Sequence, residues 1–242
     1  MAFELFDPEA EVRFTSGSLP HWFQPGATYF VTFRTDDSFP RLAADQWRAE
    51  RLAWLLRHSI DPKRASWEAA LDRLPRPLRQ EYHRTFTAAY EAQLDRGVGA
   101  CLLRNPTLAA VVGDAIRHFD GDRYHIDSFV VMPNHVHVLI GLRNDADILR
   151  VCYSWKKFTA TEINRRTDRG GRFWQEESFD HLVRSPEQFE YLRGYIAENP
   201  RRAGLGEGEY LLYTVAGRHT ECAYHSQAAE RHTECAYHSK TP

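Results

Sequence analysis

The stretch Tyr124-His-Ile-Asp-Ser-Phe-Val-Val-Met-Pro-Asn-His-Val-His-Val-Leu-Ile-Gly-Leu142 contains two apolar runs that follow each other closely in the chain. The runs cover 124–132 and 136–142, and Pro133-Asn134 lies between them. Apolar runs on either side of a short turn signal predict the two strands of a β-hairpin. We therefore predict a hairpin here and place the other elements around it.

The other elements follow from apolar periodicity, turn residues and helix caps. They are a strand at 27–35, a helix from 105 to about 119, a helix from about 147 to 166, a strand region at 173–183 and a helix at about 186–198. The order β-α-β-β-α-β-α predicts an α+β fold: a ferredoxin-like antiparallel sheet with helices on one face and an appended C-terminal helix. We expect the other face of the sheet to be free for a ligand.

The last helix has signals at both ends. Ser185 is typical of an N-cap, Pro186 suits the first helical position, and Gln188 completes a capping box. Pro200 disfavours helical backbone angles in the residue before it, so we expect the helix to end near Asn199.

Composition shifts divide the chain into segments. We predict an N-terminal extension at 1–26, a main domain at 27–205 with a helical insertion at about 41–96, and a tail at 206–242. The tail contains a direct repeat, because residues 218–226 recur letter for letter as 231–239. The repeat could supply a Cys2His2 metal set from Cys222, His225, Cys235 and His238. The favoured interpretation is a disordered tail created by a duplication of DNA.

The composition is close to the average for a soluble globular protein, with 43% hydrophobic and 26% charged residues. No apolar run approaches the ~18 residues that a membrane helix needs. The N-terminus lacks the apolar segment of a secretory signal. Two of the four cysteines lie in the repeat, and the set does not form a disulfide framework, so we expect a reducing, cytoplasmic environment.

A basic cluster contrasts with the overall net charge of −2, which gives no argument for nucleic acid. Seven Lys and Arg residues lie between Arg150 and Arg172, opposed only by Glu162 and Asp168. By itself such a cluster is typical of a solvated helix face.

Two histidines form the first candidate site. His135 and His137 are two positions apart on a predicted strand, so they point to the same face, while Val136 and Val138 point into the core. Neighbouring imidazoles suit a divalent metal with open coordination positions. In a chain with 12 histidines, however, such a pair alone is weak support for a metal site.

Tyr195 forms the second candidate site, because it lies in the last turn of the predicted final helix. A tyrosine becomes a useful nucleophile when a metal or a base lowers its pKa. Asn199, or less favourably Glu198, follows one turn later on the same surface and could join the histidines around a metal. Without further context, the favoured interpretation of Tyr195 is an ordinary core or interface aromatic.

Four motifs in one order carry a resemblance to a known family. The string Phe129-Val-Val-Met-Pro-Asn-His-Val-His-Val-Leu-Ile140 resembles the His-hydrophobic-His (HUH) motif of the single-tyrosine transposases of insertion sequences. Three further strings resemble one branch of it, the REP-associated tyrosine transposases: SWKKFT at 154–159, FWQEESFD at 173–180 and YIAENP at 195–200. The resemblance runs from about 29 to 205, interrupted by the helical insertion.

The resemblance implies a ferredoxin-like nuclease core that cleaves and rejoins single-stranded DNA through a 5′-phosphotyrosine intermediate. His135 and His137 match the metal-binding pair, and Tyr195 matches the nucleophile. Asn199 falls where relatives place a third polar ligand, often glutamine. The implied cofactor is Mg²⁺ or Mn²⁺, and Mn²⁺ suits imidazole ligands better because Mg²⁺ prefers oxygen donors.

The implied partner is single-stranded or hairpin DNA with imperfect palindromes, in the cytoplasm of a bacterium. Predicted DNA contacts are one aromatic residue for base stacking and six cations for phosphates, namely Trp155, Lys156, Lys157, Arg165, Arg166, Arg201 and Arg202. Core packing is the favoured role of Trp155 and of Trp174. Whether the protein is a monomer or a homodimer stays open.

Two other functions remain possible at this stage. One is a non-cleaving protein that binds hairpin DNA in repeat maintenance or regulation. The other is a metal hydrolase of small phosphoesters that uses the histidine pair without the tyrosine.

Overall fold

A computed structural model describes residues 3–7, 9–16, 20–38, 41–62, 64, 67–88, 97–143, 146–176 and 178–215. The strands are β1 Arg13–Ser16, β2 Pro20–Phe23, β3 Thr28–Arg34, β4 Tyr124–Val131, β5 His135–Leu142, β6 Phe179–Leu182 and β7 Leu211–Thr214. The α-helices are α1 Arg41–Arg57, α2 Trp67–Asp72, α3 Arg76–Tyr82, α4 Pro106–Arg117, α5 Ile148–Thr167 and α6 Pro186–Arg202. A π-helical turn, His83–Ala88, follows α3, and a 3-10 turn, Leu102–Arg104, precedes α4.

The central sheet has five strands in the order β6-β3-β5-β4-β7, and every neighbouring pair is antiparallel. Its first four strands carry the ferredoxin-like arrangement, because the first strand of the motif, β3, lies between the last and the third. The predicted fold class is therefore confirmed, including the hairpin of β4 and β5.

The two faces of the sheet pack against different helices. On one face, odd-numbered β3 residues such as Val31 and Phe33 join Val136, Val138 and the buried sides of α4 and α5 in one apolar cluster. On the other face, Phe30 and Leu139 pack against α6. The sheet face that we expected to be free for a ligand is therefore partly covered by α6.

The final helix is longer than predicted, since it continues through Pro200 to Arg202. A proline in the last turn removes only one intrahelical hydrogen bond. The chain keeps its turn there through Ala203 N to Asn199 O (3.0 Å) and Leu205 N to Pro200 O (2.9 Å). The N-terminal signals are confirmed: the Ser185 side chain caps Gln188 N, and Pro186 is the first helical residue.

Strand β7 corrects the expected start of the tail at 206. It pairs with the β4 edge, where the Tyr213 ring stacks on Phe129 at 5.0 Å and Leu211 packs against Gly113. A four-residue strand is too short to be recognised from an alternation of apolar and polar residues. Its pairing with β4 decides its structure. The Cys/His repeat lies outside the described residues.

The N-terminal segment is attached to the sheet rather than separate from it. Glu4 bridges to Ala27, Phe6 N donates to Val183 O at 2.9 Å, and the Phe3 ring lies 5.3 Å from Phe189. The hairpin of β1 and β2 follows and leads directly into β3.

The helical insertion has its own small core. Trp54, Leu55, Trp67 and Tyr82 belong to an apolar cluster separate from the two clusters of the sheet. Its two connections to the sheet meet at Asp37, whose carboxylate accepts from Ala100 N at 2.8 Å. The part of the predicted insertion at 89–96 lies outside the described residues. None of the helices in the described segments combines the length and hydropathy needed to cross a bilayer.

Candidate active site

Strand β5 places the two histidines on the face that α6 covers. Their ring centroids are 4.8 Å apart and the ring planes make an angle of 75°. Val136 and Val138 lie on the opposite face, in the cluster of α4 and α5. The predicted division of this strand into a histidine face and a core face is therefore confirmed.

Hydrogen bonds from neighbouring residues orient both rings. His137 Nδ1 lies 2.7 Å from Thr32 Oγ1, directly across the sheet in the β3–β5 register. His135 Nδ1 lies 2.8 Å from Asn134 Oδ1. An amide oxygen only accepts, so His135 donates from Nδ1, and its Nε2 carries the lone pair. Such outer partners fix the tautomer and orientation of a metal-ligating histidine.

The surroundings keep both histidines neutral. Burial, with the charge of Arg34 as a second cause, lowers the pKa of His135 to about 3 from its usual 6.5. Burial also lowers the pKa of His137 well below that value, and the charges of His135 and Arg202 act in the same direction. A metal-binding imidazole must be deprotonated, so this is the protonation state that a metal site needs at neutral pH.

Tyr195 of α6 lies against the histidine pair. Its ring centroid is 5.2 Å from that of His137 and 6.0 Å from that of Phe30. The Arg202 guanidinium lies over the Tyr195 ring, 5.2 Å from its centroid. Tyr195 is 8% exposed, so little of its side chain is open to solvent.

A buried ion pair holds α6 in this place. Arg193 donates from Nε to Asp127 Oδ2 at 3.0 Å and from Nη2 to Asp127 Oδ1 at 2.6 Å. Asp127 lies at an irregularity of β4, where the register shifts between Ile126 and Ser128. Because a bulge breaks the alternation of side chains, it turns the Asp127 carboxylate toward α6, the helix that carries Tyr195.

Asn199 completes the same side of α6, one turn after Tyr195. It is 0% exposed, and neither Oδ1 nor Nδ2 has a hydrogen-bond partner. The buried His135 Nε2 also has none. Buried polar atoms without partners are rare and costly, and a bound ion is one of the standard explanations.

These residues fit a divalent metal ion. Within the described segments, no three His, Cys, Asp or Glu side chains form a group that could hold one. The candidate donors are therefore the two neutral imidazoles and the Asn199 amide oxygen. His135 Nε2 and Asn199 Oδ1 are among the buried side-chain atoms of the described residues that have no hydrogen-bond partner.

One predicted DNA contact is contradicted by burial. Trp155 is 1% exposed, and its Nε1 donates to Tyr124 Oη at 2.8 Å inside the core. No base can stack there. Lys156 is half-buried, its Nζ donates to Gln175 O at 3.2 Å and to Glu176 O at 2.6 Å, and its contact with DNA stays a prediction. Trp174 is likewise buried, as the favoured interpretation expected.

The remaining predicted cations divide between the two faces. Lys157, Arg165 and Arg166 are exposed on α5, which lies across the sheet from the histidines, and both arginines pair with Glu162. Arg201 and Arg202 lie at the end of the tyrosine helix. Arg201 pairs with Glu198, so this carboxylate, the less favoured ligand, faces a surface cation.

Sequence reasoning missed three residues that surround the histidines: Thr32, Arg34 and Asn134. Thr32 and Arg34 lie opposite His137 and His135 in the sheet. Their role depends on which strand pairs with β5 and in which register, and no local signal in the sequence gives that register. Asn134 lies in the predicted turn between the two strands. Its position directly before His135 was the signal that the sequence offered.

Two comparisons with known proteins gave a match. Residues 104–199 match the sequence model of a family described as "Transposase IS200 like". Among solved structures, the chain is similar to a REP-associated tyrosine transposase bound to a REP hairpin, at 16% identity and a TM-score of 0.42, covering 77% of this chain and 73% of that one. A search of curated proteins gave no match. The segment that matches the family model contains the histidine pair, Tyr195 and Asn199.

Proposed function

We propose that this protein is a metal-dependent enzyme that nicks and rejoins single-stranded DNA at hairpins or palindromic repeats. The single observation that carries the proposal is the convergence of His135, His137, Tyr195 and Asn199 on one face of the sheet, with unsatisfied donor atoms at His135 Nε2 and Asn199. The preference for hairpins of the REP type rests on the motifs at 154–159, 173–180 and 195–200.

The tyrosine provides the chemistry of cleavage. Tyr195 Oη attacks phosphorus, its proton passes to solvent, and the bond between phosphorus and the 3′ oxygen breaks. The 3′ oxygen takes up a proton, and the 5′ phosphate stays bonded to Tyr195. A 3′-hydroxyl of a second strand can reverse these steps, so rejoining needs no ATP.

The other residues hold the reacting groups. His135, His137 and Asn199 would bind Mg²⁺ or Mn²⁺, which when bound supplies Lewis-acid polarisation of the scissile phosphate. Thr32 and Asn134 keep the imidazoles oriented. Tyr195 contacts His137 of its own chain, which supports a monomer able to assemble the whole site.

Phosphate binding outside the centre falls to the exposed cations. Arg201 and Arg202 lie on the tyrosine helix beside the site, and they would meet the strand that enters it. Lys157, Arg165 and Arg166 lie across the sheet and could contact only a more distant part of a folded DNA.

A covalent-adduct assay tests this function. Purified protein is incubated with Mn²⁺ and a single-stranded hairpin from the DNA that flanks its gene, then separated on a denaturing protein gel. We expect a shifted, nuclease-sensitive band that disappears with EDTA and in Tyr195→Phe. The proposal fails if the wild type forms no such band with Mn²⁺ or Mg²⁺, or if Tyr195→Phe forms it equally well.

The second candidate is a hairpin-binding protein that does not cleave. The low exposure of Tyr195 and its contacts with His137 and Arg202 favour it. Tight binding of the hairpin without any covalent band would support this function over the first.

A further inference from the structure

We propose that Arg34 binds a DNA phosphate directly beside the histidine pair. The inference rests on the proposed function, since it assigns a residue to the same site. Arg34 is the last residue of β3, and it pairs with His135 in the antiparallel register. Directly opposed residues project from the same face of a sheet, with Cβ atoms about 4.5–5.5 Å apart. Arg34 therefore stands next to His135 on the face that carries Tyr195.

The guanidinium of Arg34 has a fixed orientation. Its Nε donates to Gln175 Oε1 at 2.7 Å, and in return Gln175 N donates to Arg34 O at 2.9 Å. Gln175 thus continues the ladder on the outer side of β3. His135, Arg34 and Gln175 form one row across the end of the sheet, with the cation in its centre.

The segment that holds Arg34 is itself held from the opposite layer. Lys156 of α5 donates to the carbonyl oxygens of Gln175 and Glu176. Thr35, the residue after Arg34, bridges to Trp174. Lys156 therefore acts as a positioning residue for Gln175, and it adds a second positive charge at this end of the sheet.

The charge of the substrate explains the need for a cation there. A phosphodiester is negatively charged, and a guanidinium beside the histidine pair can balance that charge. Attack by a tyrosine builds up additional negative charge on the non-bridging phosphate oxygens, and preorganised cations stabilise that charge. A planar guanidinium suits two phosphate oxygens at once, which a lysine ammonium does not.

The positive charge of Arg34, directly opposite His135 in the sheet, opposes a metal cation on the histidines. A phosphate between the metal and Arg34 is attracted by both, so DNA and metal are expected to strengthen each other's binding.

The first experiment measures the rate of covalent-adduct formation with the flanking hairpin and Mn²⁺ under single-turnover conditions. We expect Arg34→Gln to lower the rate about 100-fold and Arg34→Lys to recover part of it. Arg117→Gln, an exposed arginine paired with Asp114 on α4, serves as control and keeps the wild-type rate. An Arg34→Gln rate within threefold of wild type, in a folded protein by circular dichroism, overturns the proposal.

The second experiment needs neither metal nor cleavage. Binding of the same hairpin is measured in EDTA at several salt concentrations. Loss of one phosphate contact lowers the slope of log K against log salt by about 0.7 for a single strand. We expect this change for Arg34→Gln and none for Arg117→Gln. An unchanged slope for Arg34→Gln overturns the proposal.

The two experiments separate the two ideas. If the wild type forms no adduct but Arg34→Gln loses salt dependence, the proposed cleavage is wrong and the phosphate contact stands. If the wild type forms a Tyr195-dependent adduct and Arg34→Gln changes neither rate nor slope, the enzyme stands and the role of Arg34 is wrong.

Discussion

The two faces of the central sheet use the same strands for opposite purposes. On the face of α4 and α5, Val136 and Val138 enter a closed apolar core in which buried polar groups such as Tyr124 Oη have partners. On the face of α6, His135 and His137 meet Tyr195 and Asn199, and several buried polar atoms have none. Alternate residues of β5 therefore face either the apolar core, which stabilises the fold, or the candidate site, which would carry the chemistry.

A pair of tyrosine variants gives the sharpest test of that division. Tyr195→Phe on the site face is expected to abolish the covalent adduct and leave the free energy of unfolding nearly unchanged. Tyr124→Phe on the core face removes the hydroxyl that bonds Ile116 O and Trp155, and it should cost about 1–3 kcal/mol of stability. Tyr124→Phe should still form adduct. Adduct assays and urea unfolding of both variants check this, and a reversed pattern would contradict the division.

Removal of the ion pair between Asp127 and Arg193 should weaken the packing of α6 on its face of the sheet and leave the opposite face intact. Arg193→Gln leaves the buried Asp127 carboxylate without its main partner, which should destabilise the protein by about 3–5 kcal/mol. The double variant Asp127→Asn, Arg193→Gln has no buried charge and should recover much of that loss. Urea unfolding measures the cycle. Purely additive single effects would show that the pair does not hold α6.

A substitution at Asn199 should stabilise the fold while it damages the site. Asn199→Leu replaces a buried amide without partners by an apolar side chain of similar size, which should raise the stability of the metal-free protein by about 1–2 kcal/mol. The same variant should lose the increase in melting temperature that Mn²⁺ gives the wild type. Thermal unfolding with and without Mn²⁺ checks both parts. Lower metal-free stability would mean that the amide has a partner in solution.

The pH dependence of the free energy of unfolding should also reflect the buried histidines on the site face. The pKa of His135 is about 3 and that of His181, on β6, is about 4, whereas both lie near 6.5 in the unfolded chain. Below pH 6.5 the unfolded chain therefore binds protons that the folded protein does not. Stability is present above pH 6.5 and falls as the pH drops, by about 1 kcal/mol per pH unit for each histidine. Urea unfolding between pH 7.5 and 5 should give a shallower dependence for His135→Asn than for wild type, and equal dependence would refute this.

The sequence allowed good predictions wherever the signal is local. Alternation in β5 placed His135 and His137 on one face, and the cap at Ser185 located the start of the tyrosine helix. Predictions failed where burial or register decided the structure. Trp155 belongs to a basic segment in sequence but to the apolar core in the structure.

Other misses have equally physical causes. Pro200 predicted a helix end, yet a proline in the last turn costs one hydrogen bond, and the buried Asn199 before it keeps helical geometry. Strand β7 had too few residues for a pattern. No sequence motif marks Arg34, because the role proposed for it depends on the pairing of β3 with β5.

The meeting of the insertion's two ends at Asp37 has a consequence for how this chain can change in evolution. Gly99 lies so close to Asp37 that a Cβ there would fall 2.8 Å from the Asp37 carbonyl oxygen, and its φ of +101° favours glycine. Closing a surface loop costs little more when the loop grows longer, provided that its ends are already together. The sheet and its histidine face can therefore be kept while this insertion is lengthened, shortened or exchanged, because its two ends already meet at Asp37 and Gly99.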